Sequence, residues 1–577
     1  MKLGLALSGG GFRASFFHIG VLAKMAEIGR LRQVEVISTV SGGSIVGALY
    51  YVKLKKLLDN NASPSDQQLV NLVQDLEVEF LQGVQQNIRM RALSNPLKNL
   101  RMSLANYSIS DRLAELYDKQ FYRPVLNPDA NEMIKMRDLK ISPDGRLVNP
   151  DEYNKSLGEN ACKLPIILIN ATSLNSGHNW RFEASSMGEP KCTTVNLSLI
   201  DQNFRFSKPT KYADMPEKPS NIKLGHAVAA SACVPGLFYP LAISDLYKDV
   251  RIQLVDGGVH DNQGIEALLE ECCNEVIISD ASGHMADELA PSTRTHHVLA
   301  RSNKILMDRV REEQLTRTLN EKDIKSTLLF LRKGLAAKTI PFVNDINQAQ
   351  PTSDENSIDF GVHPDIQDAL SNIRTDLDSF SDVEADALMA DGYLMSQHCF
   401  TEKQIFAPGQ WRFSYLIGEM SSNNEKLLKH LRVADRNFLK VFFLKPFVSS
   451  ALALLFAAIF IFLIFLLIGD SIRAYMNEPL EVKTNQDLFN YIIVLIFFTI
   501  VSLLLSRWKN FHTMYKLVRQ PATFIGRLIA RALPPALGSI FVWIHLTVFD
   551  QIFLSSGKRK NFKSQLPPSK SVSKSVV

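Results

Sequence analysis

Two glycine-rich turns near the start of the chain carry residues that could perform acyl transfer. The first, in LALSGGGFRAS, puts three glycines between a short apolar run and a helical pattern. The second, in STVSGGSIVG, puts Ser41 between another apolar run and a glycine pair. A serine on a sharp turn from strand to helix is the arrangement of a nucleophile elbow. Bare backbone N–H groups at a helix N-terminus can stabilise a developing oxyanion. The two turns therefore predict a serine nucleophile that faces an oxyanion hole.

A serine nucleophile needs a base, and a third motif, LVDGGVHDNQG, offers two candidates. Asp256 ends an apolar run and is followed by Gly257 and Gly258, which permit close approach of the backbone. His260 comes four residues after Asp256, so the residues are compatible with a carboxylate acting alone and with a Ser-His-Asp triad. An α/β-hydrolase elbow generally follows several strands, whereas Ser41 follows only the second apolar run. This early position weighs against the triad.

Other uses of these motifs have less support. A dinucleotide-binding loop needs G-x-G-x-x-G, but Ala14 stands where the last glycine belongs, and the motif G-x-x-x-x-G-K-[ST] is absent. The six cysteines have neither a C-x-x-C nor a Cys/His ligand spacing, and we interpret them as reduced thiols. We therefore predict no metal, no cofactor and no nucleic-acid partner.

The elements that must position the two turns alternate between strand and helix. Apolar strands are predicted at residues 3–7 and 34–40, and helices at 13–29 and 44–58. This alternation predicts an α/β fold with a parallel sheet covered on both faces, so both turns should lie at the same sheet edge. A largely helical insertion is predicted at 57–160. Further strands are predicted at 164–169, 252–255 and 276–279.

Four sequence blocks follow one another along the chain. SGGGFRA begins at Ser8, VSGGS at Val40, AASACVPGLFYPL at Ala229 and DGG at Asp256. In this order they resemble the motifs of the patatin-like phospholipase family, over residues 2–283. The resemblance implies a patatin-like parallel sheet flanked by helices, and cleavage of fatty-acyl lipid esters through an acyl-enzyme. It also implies that Ser41 is the nucleophile, that Asp256 is the base without a histidine, and that the oxyanion hole consists of the amides of Gly9, Gly10 and Gly11.

The chain departs from the family pattern at one position. The first glycine of the family's G-x-S-x-G is Thr39 here. A threonine can enter the elbow from a β conformation, so we expect tighter packing rather than lost activity. Supporting roles are predicted for Gly43, Gly257 and Gly258.

Two further features have alternative interpretations. Arg13 lies either on a solvated helix face or next to the glycine loop, where it would brace that loop or attract a lipid phosphate. The block from Ala229 is interpreted as a helix start followed by a proline-fixed loop. Its Phe238 and Tyr239 are expected in the core, with an acyl groove as the alternative.

Two uncharged apolar runs, 447–468 and 488–505, predict a transmembrane hairpin, because each is long enough to cross a hydrocarbon core of ~30 Å. The loop between them, 469–487, carries two basic residues, whereas six precede the first run and six follow the second. This bias predicts that both flanks are cytoplasmic. A third apolar stretch, 536–554, contains His545 and Asp550. We interpret it as an interfacial helix, with a third span as the alternative.

The sequence thus predicts four regions. These are a patatin-like catalytic domain at 1–300, a mainly helical extension at 301–440, the hairpin within 441–510, and a cytoplasmic amphipathic segment with a basic tail at 511–577. We interpret the chain as a lipid acyl hydrolase anchored in the inner (cytoplasmic) membrane, with a membrane lipid as substrate and the bilayer as partner. The alternatives are a patatin-fold scaffold or signalling effector with impaired catalysis, and a thioesterase or general esterase.

Overall fold

A computed structural model describes most of the chain up to residue 437 and a short part near the C-terminus. The described residues are 1–102, 107–129, 131–158, 161–190, 206, 209–283, 285, 288–335, 360–437, 440–444, 538, 539 and 541–562. The chain divides into two units, Met1–Lys440 with Val542–Val577, and Val441–Phe541. Within the described ranges, no helix combines the length and the apolar character that a bilayer crossing requires. The predicted spans, 447–468 and 488–505, lie outside these ranges.

A ten-stranded sheet lies in the first unit. The order of strands across the sheet is β10-β9-β1-β2-β3-β4-β5-β6, and a β7-β8 hairpin pairs with β3 through β8. The strands are, in chain order, β1 (Leu3–Leu7), β2 (Val34–Val40), β3 (Ile166–Ser173), β4 (Asn179–Phe182), β5 (Ser186–Gly188), β6 (Thr210–Lys211), β7 (Leu241–Tyr247), β8 (Val250–Asp256), β9 (Glu275–Asp280) and β10 (Lys325–Phe330).

The sheet is mixed, with a parallel part around the two predicted turns. Strands β10, β9, β1, β2 and β3 run parallel, with Leu5 opposite Ile37 on one side and Ile277 on the other. The remaining strands pair antiparallel. The predicted parallel sheet is therefore correct beside the turns and wrong elsewhere. Short links such as the Lys248-Asp249 turn, where Asp249 has φ 59°, join neighbouring segments as hairpins instead of through helices.

Helices cover both faces of this sheet. The α-helices of the described residues are, in chain order, α1 (Gly11–Glu27), α2 (Gly42–Asn60), α3 (Asp66–Val84), α4 (Ile88–Leu93), α5 (Pro96–Met102), α6 (Ile109–Tyr117), α7 (Arg123–Leu126), α8 (Pro150–Ser156), α9 (Glu217–Ser220), α10 (Leu224–Ser231), α11 (Ile265–Glu270), α12 (Thr295–Asn320), α13 (Pro364–Ser371), α14 (Asp382–Cys399), α15 (Ser414–Met420), α16 (Glu425–Val433), α17 (Val441–Leu444) and α18 (Asp550–Ser556). Of these, α17 lies in the second unit.

Alternate residues of the parallel strands enter two separate hydrophobic cores. Leu5 of β1 belongs to the larger core, with residues of α1, α2, α3 and α14. The next residue, Ala6, belongs to the smaller core, with Leu268 of α11 and Leu315 of α12. Strands that are apolar on both sides are expected where helices cover both faces. The prediction of a doubly covered sheet is confirmed.

Helix α1, which begins directly after the first glycine turn, is buried along its whole length. It packs closely against α14 because each helix has a glycine at the contact. A Cβ atom on Gly20 would overlap the carbonyl of Met389, and one on Gly392 would overlap the carbonyl of Phe17. The α14 helix, far along the sequence, thus fixes the direction of the helix that carries the glycine turn.

The predicted extension, residues 301–440, contributes to the same unit as the N-terminal strands. Strand β10 extends the sheet beside β9, and α14 covers α1. The block from Ala229 is also placed differently from the prediction. Helix α10 ends at Ser231, so the small residues of this block end a helix instead of beginning one.

Residues 542–554 of the stretch predicted as an interfacial helix or third span belong to the first unit. Asp550 and His545 are buried, and Asp550 accepts a hydrogen bond from the Ser379 hydroxyl (2.6 Å). Phe549 and Phe553 are also buried. Within residues 545–554, Asp550, which interrupts the apolar pattern, thus binds protein groups.

Candidate active site

Ser41 lies on a strained turn between β2 and α2, with φ 51° and ψ −117°. Positive φ is uncommon for a residue with a side chain and is typical of functional turns. The next two residues cannot carry side chains. A Cβ atom on Gly42 would overlap the backbone of Gly11, and one on Gly43 would overlap the carbonyl of Leu7. Ser41 therefore has the backbone geometry of a nucleophile elbow.

The glycine turn after β1 lies directly against this elbow. A Cβ atom on Gly9 would be 3.2 Å from that of Ser41. Gly10 and Gly11 have φ values of +136° and +57°, and neither amide donates to another described residue. The Gly9 amide instead donates to the carbonyl of Asn262 (2.9 Å). The predicted donor role of Gly9 does not fit this geometry, and Gly10 and Gly11 are the available donors.

Arg13 is a buried brace beneath the glycine turn. Its guanidinium donates to the carbonyl oxygens of Ser371 (2.8 Å), Ile373 (2.9 Å) and Ala281 (2.9 Å). Burial lowers the pKa of Arg13 to about 10, and the charge of Asp280 opposes this shift. With an exposed fraction of 3%, Arg13 lies neither on a solvated face nor within reach of a lipid phosphate.

Asp256 ends β8 and faces the elbow from the far side of β3. Its amide donates to the Cys233 carbonyl (2.9 Å), and its Oδ1 accepts from the Gly258 amide (2.7 Å). Burial raises the pKa of Asp256 to about 6, while the Gly258 amide and the Ser41 hydroxyl oppose the rise. Ser41 is thus near the carboxylate without a conventional hydrogen bond to it, and Oδ2 has no partner among the described residues. Such contacts are often long in a free enzyme and tighten with substrate.

The histidine candidate points elsewhere. The nearest carboxylate to His260 Nδ1 is that of Glu266, at 3.5 Å, and the described residues include no hydrogen bond from His260 to Ser41 or Asp256. The geometry therefore favours a carboxylate base over the triad. His18 is fully buried between the Ser279 hydroxyl (2.7 Å) and the Ser8 carbonyl (3.0 Å).

A chain of hydroxyl groups holds the Ser41 backbone from behind. The Ser41 amide donates to Ser231 Oγ (2.9 Å), which is 2.8 Å from Ser44 Oγ. Ser44 donates to Thr39 Oγ1 (2.9 Å), and Thr39 donates to the Leu168 carbonyl (3.1 Å). The three hydroxyl hydrogens can all point in the same direction along this chain, so each hydroxyl group both accepts and donates a hydrogen bond. The residue that departs from the family pattern, Thr39, is therefore part of the support of the nucleophile.

Sequence reasoning missed two other supporting residues. Asn262 accepts from the Gly9 amide, and its side chain occupies the space beside both Gly9 and Gly258. Asn170 donates to the Thr39 carbonyl and to Ser38 Oγ, both at 3.0 Å. Asparagine is common in turns, so its presence in DNQG gave no separate signal. The role of Ser231 was equally hidden, because only the fold brings α10 to the elbow.

The loop after α10 presents apolar side chains to solvent beside the site. Leu237 is 73% exposed and Tyr239 is 74% exposed, whereas Phe238 is half-buried. Tyr239 is therefore not in the core, contrary to expectation. The loop is tied to the site at its base, since the Cys233 carbonyl binds the Asp256 amide. No group of three or more metal-ligating side chains occurs in the described part of the chain.

Residues 5–269, just under half of the chain, match the family model described as patatin-like phospholipase. Over these residues the chain is therefore similar to patatin-like phospholipases. A comparison with the curated proteins gave no match.

Solved structures that match the chain do so at low identity and low TM-score. Human GIVD cytosolic phospholipase A2 is 13% identical, with 69% of this chain and 57% of that chain covered and a TM-score of 0.33. VipD from Legionella pneumophila is 14% identical, with 98% and 91% covered and a TM-score of 0.25. The chain thus spans less than two thirds of the length of the human protein.

Removal of the Thr39 hydroxyl should slow reaction at Ser41. In Thr39→Val the side chain keeps its shape, but Ser44 loses its acceptor and the support of the Ser41 amide weakens. We expect the rate of Ser41 labelling by a fluorophosphonate to fall about fivefold, as for the loss of about 1 kcal/mol. Thr39→Ser, which restores the hydroxyl, is the control. Equal labelling rates in the Val and Ser variants would show that the hydroxyl chain is not needed.

The raised pKa of Asp256 predicts the pH dependence of turnover. The base must be ionised, so kcat/KM should be half-maximal near pH 6 and should fall about tenfold for each pH unit below that value. The measurement is a pH profile with a short-chain soluble ester. The same midpoint is expected in His260→Ala. A midpoint that disappears in that variant would identify the histidine as the titrating group.

Proposed function

We propose that this protein is a serine lipid acyl hydrolase, of the phospholipase A or lipase type, that uses Ser41 and Asp256 as a catalytic dyad. The observation that carries the proposal is the contact between two turns. It brings a strained serine, two unused backbone amides and a buried carboxylate with a raised pKa to one edge of the sheet. The patatin-like phospholipase match over residues 5–269 supports the same chemistry.

The proposed reaction has two halves. Asp256 takes the proton from Ser41 while Oγ attacks the ester carbonyl carbon, and the amides of Gly10 and Gly11 stabilise the oxyanion. Collapse of the tetrahedral intermediate breaks the ester bond, and the leaving alcohol takes the proton from Asp256. In the second half Asp256 deprotonates water, which attacks the acyl-enzyme. The fatty acid leaves and the proton returns to Ser41.

A lipid substrate fits the surface beside the dyad. The exposed Leu237 and Tyr239 form an apolar rim on a loop whose base binds the Asp256 amide. Apolar side chains next to a buried nucleophile suit a substrate whose acyl chain must leave a membrane. A thioesterase or general esterase would have less use for such a rim. The alternative of an impaired scaffold rested on Thr39, and the hydroxyl chain gives that residue a supporting role.

We further propose that the hairpin of residues 447–468 and 488–505 anchors the enzyme in the inner membrane with the catalytic unit in the cytoplasm. The support is the length and charge pattern of the sequence. The proposed hairpin also agrees with the packing of the residues that flank it, because Lys440 and Asp550 both bind Ser379. Both ends of the segment between Lys440 and Asp550 are bound at the same residue, so they lie on the same side of the bilayer. Such a segment can cross the bilayer only an even number of times.

The dyad predicts a distinct pattern among three variants. Ser41→Ala and Asp256→Asn should each reduce kcat by at least ~10³-fold. Thermal unfolding should change little, since asparagine can still accept from the Gly258 amide. His260→Ala should retain most activity. Hydrolysis of a panel of radiolabelled phospholipids and neutral lipids by purified protein is the measurement. A folded His260→Ala protein as inactive as Ser41→Ala would contradict the dyad.

The topology can be read from three cysteine substitutions in a background where the exposed Cys272 is replaced by serine. Asn477→Cys, in the predicted outer loop, should react with a membrane-impermeant maleimide in intact cells. Ser422→Cys and Ser555→Cys, on exposed positions that precede and follow the hairpin, should react only after lysis. If one of Ser422→Cys and Ser555→Cys reacted in intact cells and the other only after lysis, the number of spans between them would be odd.

A further inference from the structure

The loop between α13 and α14, residues 372–380, supports the glycine turn from below. The Asp376 carbonyl accepts from the Phe12 amide (3.1 Å). A Cβ atom on Gly11 would be 2.7 Å from the carbonyl carbon of Thr375, so the two backbones are in direct contact. Arg13 donates to the Ile373 carbonyl (2.9 Å). Three consecutive residues at the start of α1 thus depend on this loop.

The opposite end of the same loop binds residues on both sides of the 441–541 segment. Lys440, which precedes it, donates to Asp378 Oδ2 (2.7 Å) and to the Ser379 carbonyl (3.0 Å). Asp550, which follows it, accepts from Ser379 Oγ (2.6 Å). The side chains of Lys440, Asp378 and Asp550 are all buried. Their charges are therefore compensated by one another and by neighbouring polar groups, not by water.

Residues 542–562, which we call the clamp, are built into the catalytic unit. Asn87 donates to Asp550 Oδ2 (2.5 Å). Phe553 is buried and stacks on the His430 ring, with centroids 5.6 Å apart. The Gly557 carbonyl accepts from the Val383 amide (3.1 Å), at the start of α14. The clamp therefore binds elements from three distant parts of the sequence.

We propose that the clamp and Lys440 are positioning elements for the oxyanion hole. They hold the loop 372–380, and this loop holds the backbone of Gly11 in its position beside Ser41. Turnover then depends on residues that come after the proposed hairpin. The inference rests on the proposed function for its effect on turnover. It implies that a displacement of either end of the 441–541 segment reaches the oxyanion donors through this loop.

The test compares Asp550→Ala with Gln551→Ala in the full-length protein. Gln551 is the next residue on α18 and is exposed, so its variant is the matched control. In Asp550→Ala we expect kcat for a short-chain soluble ester to fall at least ~10-fold, with KM within about threefold of the original value. Labelling of Ser41 by a fluorophosphonate should slow in proportion. If Asp550 had only a structural role, Asp550→Ala would lower the melting temperature but would not lower kcat while leaving KM nearly unchanged.

Hydrogen exchange gives a readout that does not depend on activity. The Phe12 amide bonds directly to the loop, so the peptide that contains it should exchange at least about fivefold faster in Asp550→Asn than in Gln551→Ala. The conservative Asn variant also serves if Asp550→Ala does not fold. Faster exchange in an enzyme that hydrolyses no ester would support the link to the loop and contradict the proposed function. An active enzyme whose Asp550 variants match the control in kcat and in exchange would overturn the inference.

Discussion

The active site depends on backbone contact between two turns at neighbouring parallel strands. Gly42 of the elbow touches Gly11 of the glycine turn, and Gly43 touches the last residue of β1, so no side chain fits between them. Because β1 and β2 pair in parallel, both turns emerge at the same edge of the sheet. The distance between the Ser41 backbone and the proposed oxyanion donors is then set by main-chain geometry. Donors fixed in this way need no reorganisation when charge develops on the substrate.

The proposed dyad contains no histidine, and this changes what the surrounding residues must provide. In a triad, a carboxylate orients a histidine, which is the base. In the proposed dyad, the Gly258 amide binds the Asp256 carboxylate directly, while the Cys233 carbonyl and the Thr172 hydroxyl hold the Asp256 backbone. Burial supplies the second requirement, because it raises the pKa of Asp256 and makes the carboxylate a stronger base. The hydroxyl chain through Ser231 supplies the third, a fixed Ser41 backbone.

The sequence was informative where chemistry and local structure coincide. The β1 and β2 strands have the predicted bounds, and α1 and α2 begin two residues earlier than predicted because the glycines themselves take part in the first turns. The hairpin strands and the Gly9–Asn262 bond were not predictable, since they depend on which distant segments meet. The burial of Arg13 and Asp550 could not be predicted for the same reason. A charged residue in an amphipathic pattern indicates solvent unless the fold supplies its partners.

Buried charge around the loop 372–380 explains how a loop can serve as a rigid support. Arg374 donates to Asp378 (2.7 Å) and Glu384 (2.6 Å), and Lys440 shares the Asp378 carboxylate. Although burial opposes ionisation, Arg374 and Lys440 hold the pKa of Glu384 at about 2, so this carboxylate stays charged. Such clusters add little stability compared with apolar packing, but they are satisfied in one arrangement only. An apolar loop could shift by a fraction of a residue and remain packed. This loop cannot shift in that way without leaving a buried charge unpaired. The glycine turn that contacts the loop is therefore held in one position.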